Sequence, residues 1–148
     1  MTKKAEYLAL VSNIIENHIP FNKLLGLKLE SMDPKAPKLA FDMRPELVGN
    51  ARRGILHGGV ISAVLDATGG FAIMLALAKE PKSGEKLSFP NMGTIDLRVD
   101  YLRPGRGKHF VASAKVVRLG NRIAVTHMEL MNDQGELIST GAAAYVVG

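Results

Sequence analysis

Residues 58–77 read GGVISAVLDATGGFAIMLAL and form the most apolar stretch of the chain, immediately after His57. We predict that they form one long helix buried in the core. Asp66 lies near the middle of this stretch. A carboxylate is rarely buried unless something pairs with it or uses it, because lost hydration costs several kcal/mol per ion. Asp66 is therefore the first candidate for chemistry.

About 20 apolar residues also match the length of a membrane span. A carboxylate at the centre of a span would cost about 2.5 to 3.5 kcal/mol on insertion scales. The four glycines of residues 58–77 weaken such a segment further. We therefore expect a buried central helix and no membrane span.

The predicted helix has two unlike faces. Small residues and Asp66 recur at helical spacing on one face, while bulky apolar side chains cover the other. Small residues let another backbone or a ligand come close, although tight packing of a helix on a sheet would need them equally. The small face consists of Gly59, Ser62, Ala63, Asp66, Gly69 and Gly70.

Alternating apolar and polar residues predict strands on both sides of this helix. Two short strands precede it, at residues 25–29 and 39–43. Four more follow, at residues 94–102, 109–118, 122–131 and 137–147, with hairpin turns at 119–121 and 132–135. The predicted class is α+β, with an antiparallel sheet wrapped around a long central helix.

The length and composition fit a single domain over residues 1–148, able to bury roughly 68 to 70% of the surface of its unfolded chain. Apolar residues at helical spacing predict an N-terminal amphipathic helix at about residues 5–18, ending before Pro20. Polar residues such as Glu6 and Glu16 interrupt the apolar core that a secretory signal would need, so we expect a cytoplasmic protein. The absence of cysteine excludes thiol nucleophiles, disulfides and cysteine-based zinc sites.

Several other functions lack their signatures. The four histidines are scattered without metal-ligand spacing, so we expect no metal site. Gly105-Arg106-Gly107 lacks the third glycine of a dinucleotide-binding motif. Positive charge alone would favour nucleic acid, but an aromatic content of 5% leaves little for bases to stack on, so we expect no nucleic-acid partner.

Two motifs carry a resemblance to a known family. His57-Gly58-Gly59 is followed by Asp66 nine positions after the histidine, and residues 93–105 then read GTIDLRVDYLRPG. From about Leu39 to Gly148 the chain resembles hotdog-fold acyl-CoA thioesterases of the phenylacetate-pathway (PaaI) type, with most likeness to the YigI-like branch. The resemblance implies a hotdog fold, an obligate homodimer that often forms a homotetramer, and hydrolysis of acyl-CoA to free acid and CoA. It implies no cofactor apart from the CoA of the substrate, and a role in lipid metabolism.

The spacing of the first motif requires two copies of the chain. Gly58 and Asp66 lie about 12 Å apart along a helix, so one helix cannot present both to the same carbonyl. Two helices that run antiparallel across a twofold axis would bring the start of one to Asp66 of the other, giving two equivalent sites per dimer.

Such a site would contain the parts needed for thioester hydrolysis. Unpaired N–H groups at the helix start, from Gly58 or Gly59, can hold the thioester oxygen as it becomes negative. One such donor is typically worth about 2.7 to 4 kcal/mol. Asp66 would then either attack the thioester carbon, forming an anhydride, or activate a water, and the sequence leaves both routes open.

Three further residues receive candidate roles from the family motif. His57 would orient the carbonyl or bind substrate, while ordering the turn before the helix would explain it equally well. Thr94 occupies the position where relatives carry a Ser or Thr that positions the water or the acid. Asn50 resembles an amide residue upstream of His-Gly-Gly, although it precedes His57 by seven positions where relatives usually have six.

Coenzyme A carries several phosphates, so we expect positive charge beside the site. A net charge of +5 fits this expectation, although a solvated surface charge would explain any one residue. The first candidates are Arg103, Arg106, Lys108, Arg118 and Arg122, and the second candidates are Arg52 and Arg53.

Two other functions stay open at this stage. A non-catalytic acyl-CoA binding protein on the same fold would bind substrate without releasing thiol. A hotdog hydratase or dehydratase would need an acid and a base against a β-hydroxyl, for which His57 and Asp66 offer only a loose analogue. The YigI-like resemblance favours medium- or long-chain fatty acyl groups, with aryl groups open, and we expect the loop at residues 79–86 to cover a tunnel entrance.

Overall fold

The long apolar stretch forms a single 20-residue helix, Gly58–Leu77, in the computed structural model of the chain, which describes residues 2–78 and 91–148. In chain order the elements are α1 (Lys3–Asn13), a π-helical turn (Ile14–His18), α2 (Pro20–Leu25), β1 (Lys28–Ser31), β2 (Lys38–Asp42), a 3-10 turn (Pro45–Leu47), β3 (Val48–Asn50), β4 (Ile55–Leu56), α3 (Gly58–Leu77), β5 (Gly93–Tyr101), β6 (His109–Leu119), β7 (Ile123–Asn132) and β8 (Leu137–Val146). The predicted loop at residues 79–86 lies outside the described residues.

Six strands form one antiparallel sheet in the order β1-β2-β6-β7-β8-β5. The long strands β6, β7 and β8 are joined by hairpins at the predicted turns, which keeps sequential strands adjacent. β3 and β4 form a separate pair that leads into α3. The sheet wraps the central helix, so the predicted α+β class is confirmed.

The core lies between α3 and one face of the sheet. Alternate residues of β7, such as Thr126, Met128 and Leu130, are fully buried against the helix. α3 is long and apolar enough to cross a membrane by length and composition, but nine of its residues are buried within the fold. It is the core helix of the domain rather than a membrane span.

The helical N-terminus departs from the prediction in two ways. The predicted helix at 5–18 begins two residues earlier, at Lys3, and its last turn, Ile14–His18, is π-helical. The predicted strand at 25–29 is wrong in its first part, because Leu25 ends α2 and the strand starts at Lys28. Pro20 begins α2, since proline fits the first turn of a helix. Gly26 then ends it with a left-handed φ of 71°.

Candidate active site

The carboxylate of Asp66 lies half-buried in the middle of α3, where hydroxyl groups from two strands reach it. Thr94 Oγ1 donates a hydrogen bond to Asp66 Oδ1 over 2.8 Å. Tyr145 OH lies 3.1 Å from the same Oδ1 and 2.8 Å from the Asp66 backbone oxygen, so its single proton is directed between the two acceptors. One carboxylate oxygen is thus held by the first residues of β5 and the last residues of β8.

Tyr145 is a site residue that the sequence analysis missed. Its side chain is only 2% exposed. Burial, followed by the charge of Asp66 and the hydrogen bond to it, raises the pKa of the Tyr145 phenol far above its ordinary value of 10.0. The phenol therefore stays protonated and remains a donor over the pH range in which enzymes work.

His57 and the two glycines after it form the start of α3. His57 is the N-cap, and its Nδ1 accepts a hydrogen bond of 2.8 Å from the Gly59 N–H. The prediction that Gly59 offers an unpaired N–H is therefore wrong, because the imidazole already takes that donor. Within residues 2–78 and 91–148, by contrast, no acceptor bonds the Gly58 N–H. The Gly58 N–H is therefore the donor at the start of α3 that can bond a substrate oxygen.

A groove of about 320 Å³ opens beside the start of α3. Tyr101 OH donates a 3.0 Å hydrogen bond to the Gly58 carbonyl at its edge. Arg53 and Arg103 also line the groove, which gives it a positive rim. This is the point in the fold where two of the predicted CoA-binding cations come near a predicted catalytic residue.

A second cavity, of about 280 Å³, opens beside Asp66 and Thr94. Its remaining walls come from the N-terminal helices, from α3 and from Met92. They are mostly apolar: Ile15, Ile19, Phe21, Asn22, Ala63, Ala67, Gly70, Phe71, Met74 and Met92. The small face predicted for the helix thus contributes Ala63, Asp66 and Gly70 to a cavity wall.

Known proteins resemble this chain over most of its length. The family model of the thioesterase superfamily matches residues 53–139. The medium/long-chain acyl-CoA thioesterase YigI of Escherichia coli is 42% identical over 147 residues, covering 95% of this chain and 94% of the relative. The chain belongs to the thioesterase superfamily.

Solved structures support the same assignment. A thioesterase-superfamily protein from Shewanella oneidensis is 42% identical and superposes with a TM-score of 0.86 over 98% of this chain and 97% of that one. Thioesterase superfamily member 2 from mouse, at 21% identity, shares the fold with a TM-score of 0.75 over 95% of this chain and 96% of that one. The predicted hotdog fold is confirmed.

The other predicted site residues of this superfamily member lie apart from Asp66. The Asn50 side-chain oxygen accepts from the Arg53 N–H at 3.3 Å and so shapes the turn between β3 and β4. Lys108 directly precedes β6 and Arg118 is the penultimate residue of that strand, whose 11 residues span about 33 Å. Arg106 and Lys108 therefore lie near one end of the sheet, and Arg118 and Arg122 at the opposite end, so the predicted CoA cations form no single patch on one chain.

Proposed function

We propose that this protein hydrolyses acyl-CoA thioesters to free acid and CoA, at a site formed by two copies of the chain. The observation that carries the proposal is the hydrogen-bonded Asp66 at the wall of an apolar cavity, in a chain whose relative YigI is named a medium/long-chain acyl-CoA thioesterase. A carboxylate held by a hydroxyl group can serve as a nucleophile or as a general base.

The second copy is needed because one chain separates the donor from the acid. β5 is an edge strand, and in the described part of the chain no strand pairs with its outer side. Its side chains are largely exposed, with Ile95 at 54% and Tyr101 at 55%. A long exposed edge is a template for pairing with another strand. We infer that two β5 strands pair in a homodimer.

The register of that pairing follows from the two ends of β5. Thr94 at one end bonds Asp66, and Tyr101 at the other bonds Gly58. An antiparallel pair centred on Leu97 sets Thr94 of one copy opposite Asp100 of the other, one residue away from Tyr101. Each Asp66 then approaches the Gly58 N–H of the second copy, giving two equivalent sites. By the family resemblance, two such dimers would form a homotetramer.

In this composite site the thioester oxygen accepts a hydrogen bond from the Gly58 N–H, which is already aligned with the helix dipole. A nucleophile then attacks the carbonyl carbon, either water that gives a proton to Asp66 or Asp66 itself. The C–S bond breaks, CoA leaves as a thiolate that takes a proton, and any anhydride formed with Asp66 is hydrolysed by water. The net reaction consumes one water and yields acid and CoA.

The substrate features beyond the thioester fit the surroundings of the site. The apolar cavity of about 280 Å³ beside Asp66 supports a medium- or long-chain fatty acyl group. Arg53 and Arg103 beside Gly58 provide cations for CoA phosphates. Arg106 and Lys108, and Arg118 and Arg122, are further candidates from the two ends of the sheet.

A thiol-release assay over a panel of acyl-CoAs tests the activity. Asp66→Asn should abolish turnover, because the amide neither attacks nor accepts a proton, while the fold and the dimer persist. Asp33→Asn makes the same chemical change at an exposed turn carboxylate that bonds the Lys35 N–H, and it should leave turnover unchanged. Unchanged turnover in Asp66→Asn would overturn the site, and saturable binding without thiol release would leave a binding protein instead.

Subunit complementation tests the shared site. Gly58→Pro removes the free N–H at a position whose backbone suits proline, the first residue of a helix after an extended His57. The added Cβ would lie 3.3 Å from Tyr101 Cε1, so the Tyr101 ring must shift slightly. It should lower kcat about 100- to 1000-fold. Coexpressed in equal amounts, the inactive Gly58→Pro and Asp66→Asn chains should recover about one quarter of wild-type activity, because half of the dimers carry one intact composite site. No recovery from the mixture would contradict a site built from two chains.

A further inference from the structure

The hydroxyl of Tyr145 reaches the proposed catalytic acid from an element far away in the chain. Tyr145 lies on β8, 79 positions after Asp66, and its OH is 3.1 Å from Asp66 Oδ1. Tyr145 sits opposite Thr94 in the pairing of β8 with β5. The two hydroxyls that bond Oδ1 are therefore neighbours on the same inner face of the sheet.

The two carboxylate oxygens of Asp66 consequently have different surroundings. Oδ1 accepts from Thr94 and shares the Tyr145 proton with the Asp66 backbone oxygen, whereas no donor from the described residues bonds Oδ2. Because both hydroxyls are fixed by strand pairing, the carboxylate plane is fixed as well. Oδ2 is left as the oxygen available to a water or a thioester carbon.

The packing around Tyr145 is adapted to this contact. Gly69 lies one turn after Asp66, and a Cβ there would collide with the Tyr145 hydroxyl. That Cβ would also lie 2.8 Å from Thr126 Oγ1, so it could not avoid the Tyr145 hydroxyl by shifting toward Thr126. The absent side chain at Gly69 is what allows the phenol to reach Asp66.

We propose that Tyr145 is a positioning residue, whose hydroxyl acts with that of Thr94 to hold Asp66 Oδ1 so that Oδ2 is the reacting oxygen. This role rests on the proposed function of Asp66. It explains why a tyrosine is buried among small residues at the end of β8, where Ala142, Ala143 and Ala144 precede it. A fixed carboxylate reacts faster because it needs no reorientation before attack.

Tyr145→Phe tests the role, since it removes one oxygen and keeps the buried ring. We expect kcat to fall about 10- to 100-fold, the loss typical of one hydrogen bond to a charged group. The KM, and the dissociation constant of a non-hydrolysable thioether analogue of the substrate, should change little. Tyr7→Phe is the matched control, because Tyr7 OH donates over 3.3 Å to the Met74 carbonyl on the same helix without touching Asp66. That variant should keep the wild-type kcat.

The outcomes separate this inference from the proposed function. An inactive Asp66→Asn together with a Tyr145→Phe of unchanged kcat would overturn the positioning role alone. Equal losses of kcat in Tyr145→Phe and Tyr7→Phe, matched by equal losses of thermal stability, would also overturn it, because both hydroxyls would then serve only the fold. A fully active Asp66→Asn would overturn the proposed function, and the positioning role with it.

Discussion

Gly69 and Gly70 are neighbours in α3, yet we predict that alanine has opposite effects at the two positions. At Gly69 an added Cβ would meet the Tyr145 hydroxyl, and it would lie 2.8 Å from Thr126 Oγ1 and 3.2 Å from Met128 Sδ. At Gly70 the nearest atoms would be Met92 Cε at 3.6 Å and Tyr145 Cε1 at 3.8 Å, which are ordinary contacts. An added Cβ therefore has no space at Gly69, whereas it fits at Gly70.

The size of each effect follows from these contacts. Alanine is favoured over glycine inside a helix by about 0.8 to 1.0 kcal/mol. Nothing opposes that gain at Gly70, so Gly70→Ala should raise the free energy of unfolding by up to about 1 kcal/mol. At Gly69 the gain is outweighed by overpacking, about 1 to 3 kcal/mol, and by loss of the Tyr145 hydrogen bond to Asp66, about 1 to 3 kcal/mol. Gly69→Ala should therefore lower the free energy of unfolding by at least about 1 kcal/mol.

Urea unfolding followed by circular dichroism measures both changes. All variants must be compared at one protein concentration, because the stability of the proposed homodimer would depend on it. Midpoints that move in opposite directions at an unchanged m-value are expected. Midpoints that move together, in either direction, would refute the packing argument.

Two further predictions concern the hydroxyl groups around Asp66. Thr94→Val removes the 2.8 Å hydrogen bond to the carboxylate and should lower kcat/KM about 10- to 100-fold in the thiol-release assay. Thr68→Val removes a 2.7 Å hydrogen bond to a neutral carbonyl of the same helix and should spare turnover, so equal losses would contradict a specific role for Thr94. Above pH 10.0, the ordinary pKa of tyrosine, the unfolded chain loses a phenolic proton that Tyr145 keeps, so the free energy of unfolding should fall by about 1.4 kcal/mol per pH unit. Urea titrations between pH 9 and 11 should show a shallower decline in Tyr145→Phe, and identical slopes would argue against the raised pKa.

The core helix and the long strands were predictable because their patterns are long, whereas the short strands β3 and β4 were not predicted. Burial alternates through β7 and through the first half of β6, which have 10 and 11 residues, as the sequence pattern of these strands predicts. α2 has only six residues, too few for a helical period to stand out, and its limits are set by Pro20 and Gly26. The predicted strand at 25–29 therefore began too early.

The candidate site was predictable for the residues that belong to one of the two sequence motifs. Asp66, Gly58 and Thr94 came from the motifs, and the structure brings Thr94 to Asp66. Tyr145 could not be found in that way, because its contact depends on the register of β8 with β5. Residues 142–146 read AAAYV, without apolar–polar alternation, so the sequence of β8 does not indicate that Tyr145 faces inward.

The cap at the start of α3 also fixes the tautomer of its imidazole. Because Nδ1 of His57 is the acceptor for the Gly59 amide, the ring proton of the neutral side chain belongs on Nε2. The same ring can therefore order the turn and contact a substrate. Nδ1 accepts the backbone hydrogen bond, and Nε2 carries a proton on an exposed side chain. Nitrogen NMR of the ring would therefore show an acceptor at Nδ1 and a donor at Nε2 when the helix start is built in this way.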